Sequence, residues 1–267
     1  MENISELYFI TKKALLLAGN EVRKSFYKNK KVTFKDSTSP VTEVDVRCER
    51  IIIATIKKKF PQHTFLAEES AFIKKGDLGP AKGDRYRWVI DPIDGTVNFI
   101  HQIPQVCVSI AVESNGVTLV GGVFDPIKNE LFMAVKGKGA TLNGKKIVVS
   151  KKSDFKKSLL ITGFPYDRDK HAKKLCQYQF NVLKKGIDIR RFGSAALDLC
   201  WLAAGRAEGF WEINLQPWDV AAGVLILSEA GGRTTDFKGN PFHLDRTTET
   251  LATNGKIHRQ MIETLNT

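Results

Sequence analysis

Apolar residues recur at helical spacing near the start of the chain. Leu7, Ile10, Ala14, Leu17, Ala18, Val22 and Phe26 share one stripe and predict an amphipathic helix from Ile4 to about Lys28. Ile51, Ile52 and Ile56 mark the inner face of a second helix, from about Thr42 to Phe60, which Pro61 stops. Between the two, Thr33 to Pro40 is polar and broken by a serine-proline pair. Thr64 to Ala67 reads as a short strand ending at Glu68 and Glu69, and Tyr86 to Ile90 as a buried one. Ser70 to Asp84, rich in glycine and charge, reads as a mobile loop. Val106 to Glu113, Val117 to Phe124 and Glu130 to Val135 are apolar segments separated by Asn115-Gly116 and Asp125-Pro126, the pattern of an antiparallel meander. Asn143-Gly144 places a further hairpin within Gly137 to Lys146.

The second half continues the alternation. Leu159 to Thr162, Gly209 to Ile213 and Thr250 to Thr253 read as strands. Lys170 to Leu183, Ser194 to Ala204, Trp218 to Glu229 and Lys256 to Leu265 read as helices. Strands alternating with helices in both halves predict a layered α/β (α+β) fold. Composition turns lysine- and serine-rich at Ser150 to Lys157. A boundary there divides the chain into an N-terminal domain, 1–150, and a C-terminal domain, 151–267.

The chain has 267 residues, enough for a sizeable core. No run reaches the ~20 apolar residues of a membrane helix, and the acidic, polar N-terminus does not read as a signal peptide, so a cytoplasmic protein is expected. Cys48, Cys107, Cys176 and Cys200 are scattered without a CxxC pair and read as buried free thiols. The net charge of +12 favours anionic partners. Its lysines lie in scattered clusters without interleaved aromatics, so no nucleic-acid platform stands out.

The candidate chemistry begins at Asp91-Pro92-Ile93-Asp94-Gly95-Thr96, where an apolar strand delivers two carboxylates and the Ile93 carbonyl. Oxygen ligands of this kind suit a hard cation, and the Gly95 and Thr96 amides at a helix start suit an anion. The same string is also good turn chemistry, and the run alone leaves both readings open. Other acids sit at element ends. Asp45 opens the second helix, Glu68 ends a strand, Glu212 ends another, and Asp219 follows Pro217-Trp218 at a helix start, where capping is the plainer role.

Four segments in order decide between these readings. Trp88 to His101 resembles the first signature of the inositol monophosphatase family. Pro217 to Gly223, with Glu229 to Gly232 beyond it, resembles the second. Phe65 to Ser70 is similar to the family's glutamate segment, with Ala67 where glycine is usual, and Phe192 to Ala196 to its glycine turn. The resemblance spans about Ile4 to Leu265 and implies an αβαβα sandwich of the sugar-phosphatase type. It also implies a Mg²⁺-dependent phosphoric monoester hydrolase holding two to three ions.

Carried over to this sequence, the resemblance gives Glu68, Asp91 and the Ile93 carbonyl to the first ion. It gives Asp91, Asp94 and Asp219 to the second, and Glu68 again to a weaker third. Gly95 and Thr96 receive phosphate; Asp94, Gly193, Ser194, Ala195, Glu212 and Asp219 line the substrate. Asp45 supports Thr96, whose hydroxyl orients water. No cysteine or histidine is placed for a covalent phosphoenzyme, so water attacks directly. His101 reads as structural packing, while His63, His171, His243 and His258 read as surface residues. Arg190 and Arg191 could reach a second phosphate or pair across a dimer. The substrate implied is an inositol monophosphate. Fructose 1,6-bisphosphate, a nucleotide bisphosphate or histidinol phosphate stay open, as does an accessory role toward RNA polymerase and ribosomal RNA synthesis. A homodimer and lithium inhibition are further implications of the family.

Overall fold

The computed structural model describes residues 2–36, 38–70 and 86–267. Most of the expected mobile loop, from residue 71 to Asp84, therefore lies outside the described residues. Helix α1 (Ile4–Ser25) begins at the Asn3 cap and helix α2 (Glu43–Lys57) at a Thr42/Asp45 capping box. Their apolar stripes pack on one face of a seven-stranded sheet of order β3-β4-β5-β6-β7-β8-β9. Its members are β3 (Thr64–Ala67), β4 (Arg87–Asp94), β5 (Cys107–Ser114), β6 (Val117–Asp125), β7 (Glu130–Val135), β8 (Gly139–Leu142) and β9 (Lys145–Ile147). β3 and β4 run parallel; the remainder is the antiparallel meander that the turns predict.

Alternation along the strands sorts their side chains into two cores. Trp88 and Ile90 of β4, with Val108, Ile110 and Val112 of β5, face α1 and α2. Val89, Cys107, Ala111 and Val123 face the other way, onto α5 (Ala195–Ala203) and α6 (Pro217–Glu229). Beneath that helix pair lies a five-stranded sheet of order β11-β10-β12-β14-β13. It comprises β10 (Leu159–Thr162), β11 (Asp188–Arg190), β12 (Gly209–Ile213), β13 (Arg233–Thr235) and β14 (Glu249–Thr253). Ile161, Phe210 and Ala252 point into the central core. Leu160, Trp211, Ile213 and Leu251 point outward to α4 (Arg168–Leu183) and α7 (His258–Leu265). The layers thus run αβαβα, as expected.

Differences from the sequence reading concern short or edge elements. The polar stretch before α2 is a hairpin, β1 (Val32–Phe34) and β2 (Pro40–Thr42), whose turn is tied by Asp36 accepting from the Thr38 and Ser39 amides. β11 and β13 occupy the two edges of the five-stranded sheet. Cys176 is exposed, whereas the other three thiols are buried. His101 is exposed rather than packed. His258 is buried between the hydroxyls of Thr235 and Thr253, and His63 stacks on Phe60 and Tyr86. Among the described residues, no helix is long and apolar enough to cross a membrane.

Candidate active site

The parallel register of β3 and β4 pairs Ala67 with Ile90, so Glu68 and Asp91 leave adjacent strands at the same end. A regular strand would then send residues three apart to opposite faces. Instead, β4 is irregular between Asp91 and Asp94, where Pro92 interrupts the ladder to β5. Both carboxylates reach one buried region, where the charge of Asp94 raises the pKa of Asp91 and of Asp219. Asp91 Oδ1 accepts from the Ile93 amide at 3.0 Å and so closes the turn. Gly95 follows with φ +90 and caps the short helix α3 (Thr96–Ile100). A Cβ on Gly95 would lie 2.8 Å from the Gln105 carbonyl oxygen and 3.2 Å from that of Gly193, so both conformation and space require glycine.

Asp94 joins the two halves of the chain. Its Oδ2 accepts from Ser194 Oγ at 2.7 Å and from the Ala196 amide at 2.8 Å, which makes it a tertiary cap on the start of α5. The cap hydroxyl and amides hold its pKa down against burial, leaving it raised to about 6. Asp219 is the third residue of α6, and its Oδ2 accepts from the Gln216 amide at 2.7 Å. Burial first, then the charges of Asp94 and Glu68, push Asp219 well above the usual carboxylate range. Asp91 is raised for the same reasons, by burial and then by Glu68, Asp94 and Asp219. Segments that begin at Glu68, Asp91 and Asp219 therefore converge on one buried acidic centre.

Thr96 hydroxyl donates to the Ile93 carbonyl at 3.0 Å and approaches Asp45 Oδ1 at 3.3 Å. Asp45 Oδ2 is already engaged by Thr42. The sequence pairing of Thr96 with Asp45 is thus present, but the hydroxyl is shared with the carbonyl expected to serve a cation. Burial raises Asp45 to about 6 against the opposing bonds from Thr42.

On the substrate side, Glu212 ends β12 and presses against Gly163, where a Cβ would lie 2.0 Å from Oε2. Burial raises Glu212 to about 8, with Arg191 opposing and Asp94 reinforcing. A carboxyl raised in the folded state binds a proton that the unfolded chain releases. Its stabilising share is present below the unfolded value and is lost as pH rises through the folded value. The metal-free protein should lose about 1.4 kcal/mol per pH unit from Glu212 between about 4.5 and 8. Glu212→Gln should remove that share. Melting curves in chelator across this range check it, and an unchanged slope in the variant rules it out.

Several residues at the site escaped the sequence reading. Lys35, at the end of the β1 hairpin arm, places Nζ 2.7 Å from Glu68 Oε1 and 2.6 Å from Glu69 Oε1. Glu49 of α2 accepts from the Glu69 amide at 2.8 Å and from the Ser70 hydroxyl, anchoring the segment that carries Glu68. Tyr166 is 41% exposed, yet its hydroxyl is pushed up by desolvation and then by the charges of Glu68, Asp219, Asp91 and Asp94. Asp198, one turn into α5, is buried with neither carboxylate oxygen hydrogen-bonded. Arg191, by contrast already a candidate from sequence, stacks its guanidinium 5.6 Å from the Phe164 ring centre. Only the acid-rich Glu68-Glu69 pair and the Arg190-Arg191 pair signalled themselves locally. Trp211, beside Glu212 on β12, points into the outer core.

As placed, no group of three or more His, Cys, Asp or Glu side chains among the described residues is drawn together tightly enough to hold an ion. The donor chemistry nevertheless fits a hard dication: buried carboxylates whose mutual repulsion is partly met by the ammonium of Lys35. Two neighbouring cations are the usual complement to such a set in phosphate-ester chemistry.

Comparison with known proteins gives the class that this layered fold and its acidic centre serve, a phosphoric monoester hydrolase. The chain belongs to the inositol monophosphatase family, which it matches over residues 3–267. It is 42% identical over 261 residues to an inositol-1-monophosphatase of Synechocystis, covering 96% of this chain and 87% of that one. It is equally 42% identical to Nus factor SuhB of Escherichia coli over 255 residues, covering 95% and 93%. The solved inositol monophosphatase of Anabaena superimposes with a TM-score of 0.84 at 39% identity, covering 99% of this chain and 97% of that one.

Proposed function

We propose that this chain hydrolyses myo-inositol monophosphates to inositol and phosphate by direct attack of water, with Mg²⁺ as cofactor. The observation that carries the reading is the convergence of Asp91, Asp94 and Asp219 with Glu68 at one acidic centre, where the charges of Glu68 and Asp94 push both Asp91 and Asp219 up beyond the effect of burial. The Synechocystis relative bears the matching name. Glu68, Asp91, the Ile93 carbonyl, Asp94 and Asp219 would hold two to three ions, which supply water activation and charge neutralisation at the ester. Asp94 would use Oδ1 for this, since Oδ2 is committed to α5.

The chain's own groups do the rest. The Gly95 and Thr96 amides at the start of α3 bind the phosphoryl oxygens. The Thr96 hydroxyl, oriented between the Ile93 carbonyl and Asp45, accepts a hydrogen bond from the attacking water and fixes its direction. Gly193, Ser194 and Ala195 form the wall for the alcohol, and Glu212 accepts from its hydroxyls in the ionised form. With Glu212 raised to about 8, alcohol recognition strengthens toward alkaline pH.

The test is a panel of esters: inositol 1-phosphate, fructose 1,6-bisphosphate, histidinol phosphate and a nucleotide 3′,5′-bisphosphate. Inositol 1-phosphate should give the highest kcat/KM. A tenfold preference for any other ester reassigns the substrate. The relatives called Nus factor SuhB support a second reading, a binding role toward RNA polymerase beside catalysis. Pull-down of polymerase by a catalytically dead Asp219→Asn chain would support it, and absence of capture by the native chain would end it.

A further inference from the structure

One lysine, set apart from the acids, grips the supports of both the Gly95 turn and the Gly193 turn. Lys128 lies in the connection between β6 and β7. Asp125, fully buried, fixes it there. Its Oδ1 accepts from the Ile127 and Lys128 amides, both at 2.9 Å, and its Oδ2 from the Lys128 ammonium at 2.8 Å. The ammonium also donates to the Pro104 carbonyl and, at 3.1 Å, to Gln105 Oε1. Among the described residues that is the one bond of the Gln105 side chain, whose Nε2 is buried without a partner. Gln105 in turn backs the Gly95 turn. Its carbonyl accepts from Asn98 Nδ2 at 2.9 Å and stands 2.8 Å from where a Cβ on Gly95 would lie.

The same ammonium lies 5.6 Å from the centre of the Trp201 ring, on α5. The indole N–H of Trp201 is likewise buried without a partner, so no hydrogen bond anchors the ring. Lys128 holds it instead, with the Arg206 guanidinium at 5.4 Å and the edge of Phe192 at 5.0 Å between ring centres. Arg206 is bound to Glu130, at the far end of the connection that carries Lys128. Phe192 immediately precedes Gly193, and its carbonyl accepts from Asn98 at 2.8 Å.

We propose that Lys128 is a positioning residue that sets the spacing between the phosphate-binding turn and the alcohol wall, and so governs which alcohols the enzyme accepts. The inference rests on the reading above, in which phosphate sits at Gly95 and the alcohol at Gly193 to Ala195. The two segments nearly touch, since a Cβ on Gly95 would lie 3.2 Å from the Gly193 carbonyl. A bound ester spans them, and misplacing its two halves by about 1 Å costs rate steeply. Asn98 ties the segments directly, but its amide nitrogen has two hydrogens for the carbonyls of Gln105, Phe192 and Gly193. It cannot fix the spacing alone. Lys128 supplies the second tie, through charge-assisted bonds on one arm and a cation at an aromatic ring on the other. Its hydrogen-bond partners include none of the acids expected to hold cations, so phosphate and metal binding should survive its loss.

The test compares inositol 1-phosphate with ethyl phosphate, whose alcohol is too small to press on the wall. Lys128→Met should lose about tenfold in kcat/KM on inositol 1-phosphate and stay within about twofold of native on ethyl phosphate. Lys128→Arg, which can donate to the same carbonyl and lie on the same ring, should keep native selectivity. Asp125→Asn keeps the acceptor that closes the turn and drops the charge that aims Lys128. It should shift selectivity in the same direction, and it decides the question if Lys128→Met does not fold. Undiminished selectivity in folded Lys128→Met, equal losses on both esters, or loss of selectivity in Lys128→Arg overturns the role of Lys128 alone. A native chain that does not favour inositol 1-phosphate over ethyl phosphate overturns instead the substrate reading on which it rests.

Discussion

Asp91→Asn should lose activity by on the order of a thousandfold while the protein folds as well as the native chain. Asn retains the Oδ1 acceptor that closes the turn on the Ile93 amide, so the local geometry survives. What disappears is one negative charge from a centre where Glu68, Asp94 and Asp219 already repel it. Metal-assisted stabilisation of charge is worth several kcal/mol in such reactions, and about 1.4 kcal/mol is a factor of ten in rate. Relief of repulsion acts in the opposite direction on stability, so the melting temperature in chelator should be unchanged or higher at pH 8. Steady-state phosphate release and a thermal melt check the two halves of this result. A variant that is fully active, or one that is inactive because it no longer folds, contradicts the role given to Asp91.

Gly95→Ala should damage both stability and catalysis. A side chain at φ +90 costs about 1–2 kcal/mol in backbone strain alone. The added methyl would also meet the Gln105 carbonyl at 2.8 Å and the Gly193 carbonyl at 3.2 Å. Both neighbours are main chain and hold the site's own walls: Asn98 donates to the Gln105 and Phe192 carbonyls, tying α3 to the glycine turn. The sum should be about 2–3 kcal/mol of destabilisation, or several degrees in the melting temperature. Because Gly95 lies between Asp94 and Thr96, any shift that relieves the contact misplaces both, and kcat/KM should fall at least a hundredfold. Denaturant titration and steady-state kinetics measure the two effects. Native stability in Gly95→Ala would mean that this turn is not held as described.

The difference between these residues and Lys35 shows what the sequence could disclose. Asp91 to Thr96 is a local string whose chemistry and turn propensity are written in adjacent residues. The Thr42/Asp45 box is likewise spaced within one helical turn. The layers follow from periodicities strong enough to survive without context, as in the stripe of α1 and the alternation of β5 to β7. β1, β11 and β13 have three residues each and are rich in charge or exposed. They become strands only because a partner is already in place, and that is a tertiary fact. Lys35 reaches Glu68 across 33 positions and Glu49 reaches the Glu69 amide across 20, so neither link has a spacing signature. Ser194 caps onto Asp94 across 100 positions; the resemblance places both at one substrate but implies no bond between them. The irregularity at Pro92, which turns Asp91 and Asp94 to one side, was also hidden, because proline there reads equally well as an ordinary turn.

The central claim is that the acids gathered around Asp91 run metal-dependent hydrolysis of a phosphate monoester. Release of inorganic phosphate from myo-inositol 1-phosphate by chelator-stripped chain, titrated with Mg²⁺, tests it most directly. Activity should be absent in chelator and rise saturably with Mg²⁺, with Asp91→Asn flat across the same titration. Equal phosphate release with and without Mg²⁺, or a response retained by Asp91→Asn, would contradict the account.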